Sequence, residues 1–339
     1  QKHKEAGYGK GWPSRFQTEF LFPKQLGLVY YAPGERIRIT ELGRRLLSCF
    51  HVSISNVSHI DYEEDQPENE QSVFIQAMAK YQRCNPLIKV LNDNVPLILL
   101  LQVVKKLDAN PKYNDHKGKP KGISRKELPL LIFWKDNNAE KLYERIVKLR
   151  NEYKYDPSDE VIRDICTEEI MEGKFKKFDM KSMMQDYPDE FIRKMRITGL
   201  ISLRGAGKFV DINSLEEKRV DYVLKTYSNY KHYDNVKNYF RYVSTIDENL
   251  FEIKSESISS SKSEELLNSW LEEYRWNDIK SELLILQKKG TCYDAILKFI
   301  PAPARLEFLT ALSIKSKFPK VRVIPHYSCD DTGLPTSTA

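Results

Sequence analysis

Hydrophobic positions along this chain alternate between strand-like and helix-like spacing. From Leu26 to Leu47 the sequence reads LGLVYYAPGERIRITELGRRLL. Leu28-Val29-Tyr30-Tyr31 is β-branched and aromatic, Pro33-Gly34 is turn chemistry, and Arg36-Ile37-Arg38-Ile39 alternates charge and hydrophobe. That pattern predicts a β-hairpin. Thr40 stands where an N-cap belongs, with Gly43 and basic residues in the helix behind it. Ahead of the hairpin, Trp12-Pro13-Ser14 opens a short helix to Leu21, with proline tolerated in the first turn. A short hairpin with two arginines on one face, set between two helices, reads as a winged helix. A plain surface hairpin would give the same letters.

The same grammar returns further on. Pro188 starts a helix through Ile197, with Arg193, Lys194 and Arg196 between Phe191, Ile192, Met195 and Ile197. Thr198-Gly199 stops it. Leu200–Leu203 predicts a strand, Arg204–Lys208 a glycine-rich turn and Phe209–Ile212 the return strand. Asn213 or Ser214 then caps a helix through Leu224. Two copies of one order favour winged helices over an incidental hairpin.

Longer apolar patterns fill the gaps. Asn85–Leu107 holds a leucine-rich core helix, with Pro96 at its start. Ser124-x-x-Glu127 is a capping box before Leu128–Trp134, where Pro129 is expected to distort the first turn. Asn137–Glu152 spaces Leu142, Ile146 and Leu149 as one helical face, and Asp156-Pro157 opens a third helix ending near Gly173. Residues 61–70 hold six acids in ten and read as a solvated loop. Residues 229–252 are aromatic and polar. Six serines in residues 255–263 give a linker composition. Helices are expected over 264–289, 292–300 and 305–315, and a strand over Lys320–Ile324.

Composition narrows the class. With 339 residues, 41% hydrophobic and 30% charged, the chain is globular and too long for one ordinary domain. No stretch approaches the roughly 18 apolar residues of a membrane span, so no membrane partner is expected. Five scattered cysteines form no CxxC pair, which fits reduced thiols in a cytoplasmic protein. A formal net charge of +6 is a mild bias compatible with a polyanion. The basic loop 112–126, with Lys119 and Lys121, is a candidate phosphate contact. Arg15, Gln17 and Thr18 on the first helix join it as candidate DNA contacts. So do Arg36 and Arg38 on the hairpin, and Arg193, Lys194, Arg196, Arg204 and Lys208 in the second unit. Arginine and glutamine read base edges, and phosphate contacts fix register. No catalytic constellation is visible. GAGKF at 205–209 lacks the P-loop spacing, and a lone helical acid such as Glu307 is ordinarily a surface residue.

TGLISLRG, the block LGLVYYAPGERIRITELG, the apolar helix from NPL to KK and the tail IPHYSCDDTGLPTSTA together resemble the AlwI-type restriction endonucleases, type IIS enzymes related to the BstNBI-type nicking endonucleases. The resemblance covers most of the chain. It implies a mainly α fold with small β-hairpins (α+β): tandem winged-helix DNA-recognition subdomains, then the start of a nuclease domain of the PD-(D/E)xK kind. The expected division is 1–172 and 173–254 for the two recognition subdomains, 255–263 for the linker, and 264–339 for linker helices and the first part of the nuclease. It implies double-stranded DNA with a short asymmetric site of the GGATC or GAGTC sort, Mg²⁺-dependent hydrolysis outside that site, and transient dimerisation through the nuclease domain. Glu307 in ARLEFLTAL matches the helical acid of such nucleases, as a catalytic and metal residue. Asp330 and Asp331 do not match the metal aspartate, and the sequence stops before that position. A chain truncated there is expected to bind DNA without cutting it. A winged-helix transcription regulator or a protein-interaction module is the alternative.

Overall fold

A computed structural model describes residues 20–32, 34–56, 59–64, 67–113, 122–174, 179–325 and 327–336, with the backbone alone over 51–68. Fourteen helices and three small antiparallel sheets occur among them, so the α+β class holds. No helix is long and apolar enough to cross a membrane.

Helix α1 (20–25) ends at Gly27, whose φ of 76° no other residue adopts without strain. A Cβ there would also lie 2.8 Å from the backbone carbon of Val243. Strand β1 (Val29–Tyr30) pairs antiparallel with β2 (Arg38–Ile39), Val29 opposite Ile39 and Tyr30 opposite Arg38. Thr40 caps α2 (Glu41–Leu47) as its sequence position predicts. Its hydroxyl accepts from the Gly43 N–H at 2.9 Å and donates to the Gly27 carbonyl at 2.6 Å, so one side chain closes helix and hairpin together.

The acidic stretch expected as a loop is instead regular structure. Strands β3 (Phe50–Asn56) and β4 (His59–Glu64) form a second hairpin, and α3 (Pro67–Lys80) begins within the acidic run. Acidic residues are favoured in a first helical turn, so a charge count alone did not separate loop from helix start.

Helix α4 (Pro96–Asp108) is the centre of the core: nine of its thirteen residues are buried. Around it lie α3, α5 (Leu128–Phe133), α6 (Ala139–Tyr153) and α9 (Glu217–Tyr227). Pro129 occupies the first turn of α5, where its missing N–H costs nothing, so the expected distortion does not occur. Asn138 caps α6, and Ser158 caps α7 (Asp159–Asp164), which runs on as a π-turn over Ile165–Ile170. Helix α8 (Tyr187–Arg196) leads to β6 (Ile201–Arg204) and β7 (Phe209–Ile212) at the expected places.

A third strand joins them that the sequence pattern did not predict. Strand β5 (Ile123–Ser124) pairs with β7, giving the order β5-β7-β6. Gly122, at φ 68°, lets the chain enter, since a Cβ there would lie 2.2 Å from the Val210 oxygen. The expected division at 172/173 therefore passes between strands of one sheet. The capping-box acid Glu127 accepts from the Ser124 N–H at 2.8 Å, yet its larger role is with Arg150, 2.7 Å away and fully buried with it.

Helices α10 (Val236–Ser244) and α11 (Glu248–Glu252) return the chain to α3 and the first hairpin. The serine-rich linker stretch divides. Ser255–Ile258 is extended along the second unit, with the Glu256 N–H donating to the Leu215 carbonyl at 2.9 Å. Ser259 then caps α12 (Ser260–Glu273). Serine density marks helix starts as well as tethers. Helices α13 (Trp276–Gln287) and α14 (Ala302–Lys317) follow. Only a short 3₁₀ turn, Leu297–Phe299, forms where a helix over 292–300 was expected. The Asp294 carboxylate accepts from the Ile296 and Leu297 N–H groups and closes a turn there. Lys320–Ile324 finds no strand partner among the described residues and lies exposed or half-buried.

Candidate nucleic-acid interface

The two hairpins use their arginines differently. On the first, Arg36 is exposed, and no ion pair or hydrogen bond of its side chain is present among the described residues. Arg38 meets Glu35 at 3.3 Å, with both side chains well exposed. Such a pair is worth about 0–1 kcal/mol and is easily exchanged for another anion. Arg44 donates to the Ile39 carbonyl at 3.2 Å, and Lys24 stands 4.4 Å from the centre of the Tyr31 ring.

On the second unit, the candidates are occupied within the chain. Arg193 is exposed, donates to the Lys298 carbonyl at 2.7 Å and lies against the Phe299 ring. Lys194 pairs with Glu190 at 2.5 Å. Arg196 is buried, donates to the Pro335 carbonyl at 2.7 Å and faces Asp330 at 3.5 Å. Burial pushes the Asp330 carboxyl upward while Arg196 opposes that shift. Arg204 bonds the Asp211 carboxylate and meets Asp331 at 2.7 Å. Asp331 also accepts from Ser202 and from the Ser214 N–H and hydroxyl. Lys208 alone of this set stays exposed without a side-chain partner among the described residues. Gly207, in the turn, has room only for hydrogen on the side facing the Ala295 oxygen, 2.9 Å from where a Cβ would stand.

Residues 295–301 and 328–336 therefore lie against α8 and its hairpin. The second of these segments is a tight turn, with the Asp330 N–H donating to the Leu334 carbonyl at 2.9 Å and Trp270 donating to the Thr332 carbonyl at 2.7 Å. Beneath the sheet, Asp108 at the end of α4 accepts from the Gly122 N–H at 3.2 Å. Burial first, then the charge of Asp211 and a hydrogen bond to it, push the Asp108 carboxyl up to about 8.

Arg15, Gln17, Thr18, Lys119 and Lys121 lie outside the described residues. Glu307 is exposed on α14. No group of three His, Cys, Asp or Glu is placed to hold a metal among the described residues. What sequence reasoning missed is Asp331, whose role depends on a turn more than a hundred residues beyond its partners, and helix α10, which packs beside the first hairpin.

The family model described as AlwI restriction endonuclease matches residues 24–289. The chain belongs to the AlwI restriction endonuclease family. No curated protein matches it. Membership makes DNA the substrate class and site-specific cleavage the activity of the family. Restriction endonucleases generally use Mg²⁺, and Glu307 belongs to no group of three His, Cys, Asp or Glu side chains that could hold a metal ion among the described residues.

Proposed function

We propose that this chain is the DNA-reading part of a type IIS restriction or nicking endonuclease. It recognises a short asymmetric site in duplex DNA, in the cytoplasm, and binds without cutting. The observation that carries this is the outward arginine pair of the first hairpin in a member of a DNA-cleaving family. Two winged helices are the frame of the reading. Helices α4, α5 and α8 with the sheet β5-β7-β6 support the second of them, with α6 and α7 inserted between α5 and α8. Arg36 and Arg38 contact DNA in this reading, with Lys208 a further backbone contact. Arg193, Arg196 and Arg204 act at one remove: they hold the C-terminal segments on the second unit. Cleavage at a distance requires reader and cutter to be joined in fixed register, and these contacts supply a joint.

Helices α12–α14 begin the cutting body, with Glu307 as its helical acid. Dimerisation through this end belongs to the same reading, and Leu306, Ile314 and Phe318 are exposed there at 50%, 40% and 59%.

A mobility-shift titration at rising salt tests the reading on duplexes carrying GGATC, GAGTC or a scrambled site. One site-bearing duplex is expected to bind about 10³-fold or more tighter than the scrambled one, with affinity falling steeply with salt. Equal affinity for all three duplexes, or a salt slope near zero, overturns it. Nicking of the duplex on adding Mg²⁺ overturns the binding-only part.

A further inference from the structure

Helix α10 takes no part in the roles assigned so far, and its placement gives it one. Tyr30 and Arg38 are directly opposite in the hairpin, so their side chains leave on the same face. Phe240 of α10 packs on Tyr30 with ring centres 4.9 Å apart. Lys24 stands 5.2 Å from the centre of the same Tyr30 ring. Lys237 lies one turn before Phe240 on α10 and is its neighbour on the helix surface. Arg241 follows Phe240 directly. Lys237, Asn238 and Arg241 are all exposed. The backbone at Val243 and Ser244 fits against Gly27, where only hydrogen has room, so α10 is seated at one position on the hairpin.

Charge concentrates on this surface. Residues 24–45 and 229–244 carry eight Lys and Arg against three Asp and Glu, a surplus of five where the whole chain has six. Glu35 faces Arg38, Asp234 faces His232 and Glu248 of α11 meets Arg45 at 2.6 Å, while Glu41 is exposed at the start of α2. Helix α10 itself has no acid. Basic side chains interleaved with aromatic rings match a nucleic-acid backbone better than an acidic peptide, because the rings offer apolar faces to sugars.

We propose that α10 continues the DNA-contacting surface of the first hairpin, with Lys237, Asn238 and Arg241 binding the phosphates of a duplex. The inference rests on the DNA-reading function proposed above. Together with Arg36 and Arg38 these residues form one track across two elements far apart in sequence.

The test is fluorescence anisotropy of a labelled random-sequence duplex over a range of KCl, with the full chain. Each phosphate contact contributes about 0.9 to the slope of log affinity against log salt. Lys237→Ala with Arg241→Ala should flatten that slope by roughly 1.8 and leave the thermal midpoint unchanged. Lys237→Glu with Arg241→Glu should weaken binding further. Lys141→Ala with Lys148→Ala, two exposed cations on α6, should change the slope little. If Arg36→Ala with Arg38→Ala flattens the slope and the α10 pair does not, α10 is excluded and the hairpin reading stands. An equal loss from the α6 pair overturns the proposal, since a general field rather than a track would then be at work. Absence of salt-dependent binding by the unsubstituted chain overturns the DNA-reading function and this inference with it.

Discussion

The two hairpin units share an order of elements and differ in what surrounds them. The first has two short strands, with Arg36 and Arg38 exposed and the Arg38–Glu35 ion pair on the solvent side. The second is a three-stranded sheet whose third strand arrives from before α5, and two of its arginines are fixed by Asp211, Asp330 and Asp331. A repeated sequence grammar thus specifies a repeated local shape without a repeated role. The role follows from what packs on the shape: α10 beside the first, residues 295–301 and 328–336 over the second.

The largest contrast is expected in stability. Arg196→Ala leaves Asp330 buried without its partner and should cost roughly 3 kcal/mol or more, whereas Arg38→Ala should stay within about 0.5 kcal/mol. Urea unfolding measures both. Similar losses would erase the distinction between a committed and a free arginine.

DNA binding should rank them the other way. Arg36→Ala with Arg38→Ala should lower the salt slope by roughly 1.8, one contact each. Arg193→Ala should leave it unchanged, because that side chain serves the Lys298 carbonyl. A slope that falls with Arg193→Ala would return α8 to the DNA surface.

A smaller difference should appear with pH. The Asp108 carboxyl is raised to about 8 from an ordinary value of 3.8. Between those values the folded state holds a proton that the unfolded chain has released, so stability falls as pH rises from about 4 to about 8. Asp108→Asn should remove that part of the fall in a series of thermal melts. The smallest effect is expected from Asp331→Asn. It keeps the shape but weakens the pairing with Arg204, so proteolysis near residues 318–325 should quicken modestly while duplex binding is retained.

Much of the local structure was legible from residue chemistry. Thr40 as a cap, Pro188 opening α8, the glycine turn at Arg204–Lys208 and the two strands around it all rest on interactions within a few residues. The family resemblance rested on three blocks within the matching range 24–289 and on the tail 324–339, which lies outside it. Several errors fell where a segment's partner is distant. Lys320–Ile324 has strand letters but no edge to pair with among the described residues. Ile123–Ser124 has too few letters to announce a strand and becomes one because β7 offers an edge. The serine stretch 255–263 was ambiguous between tether and helix cap until Leu215 and α12 divided it.

The sequence by itself determined many of the caps and turns, the α+β class and the family, because such features are short-range and the family resemblance is read from contiguous blocks. Only the tertiary structure decided which arginines are engaged within the fold and which stay exposed. Arg36, in the first hairpin, and Arg196, at the end of α8, are the same residue type. One is exposed, and the other meets Asp330 and Pro335 across the fold, where burial sets the strength of each contact. That difference lies in long-range contacts and in dielectric surroundings, which local sequence pattern does not encode.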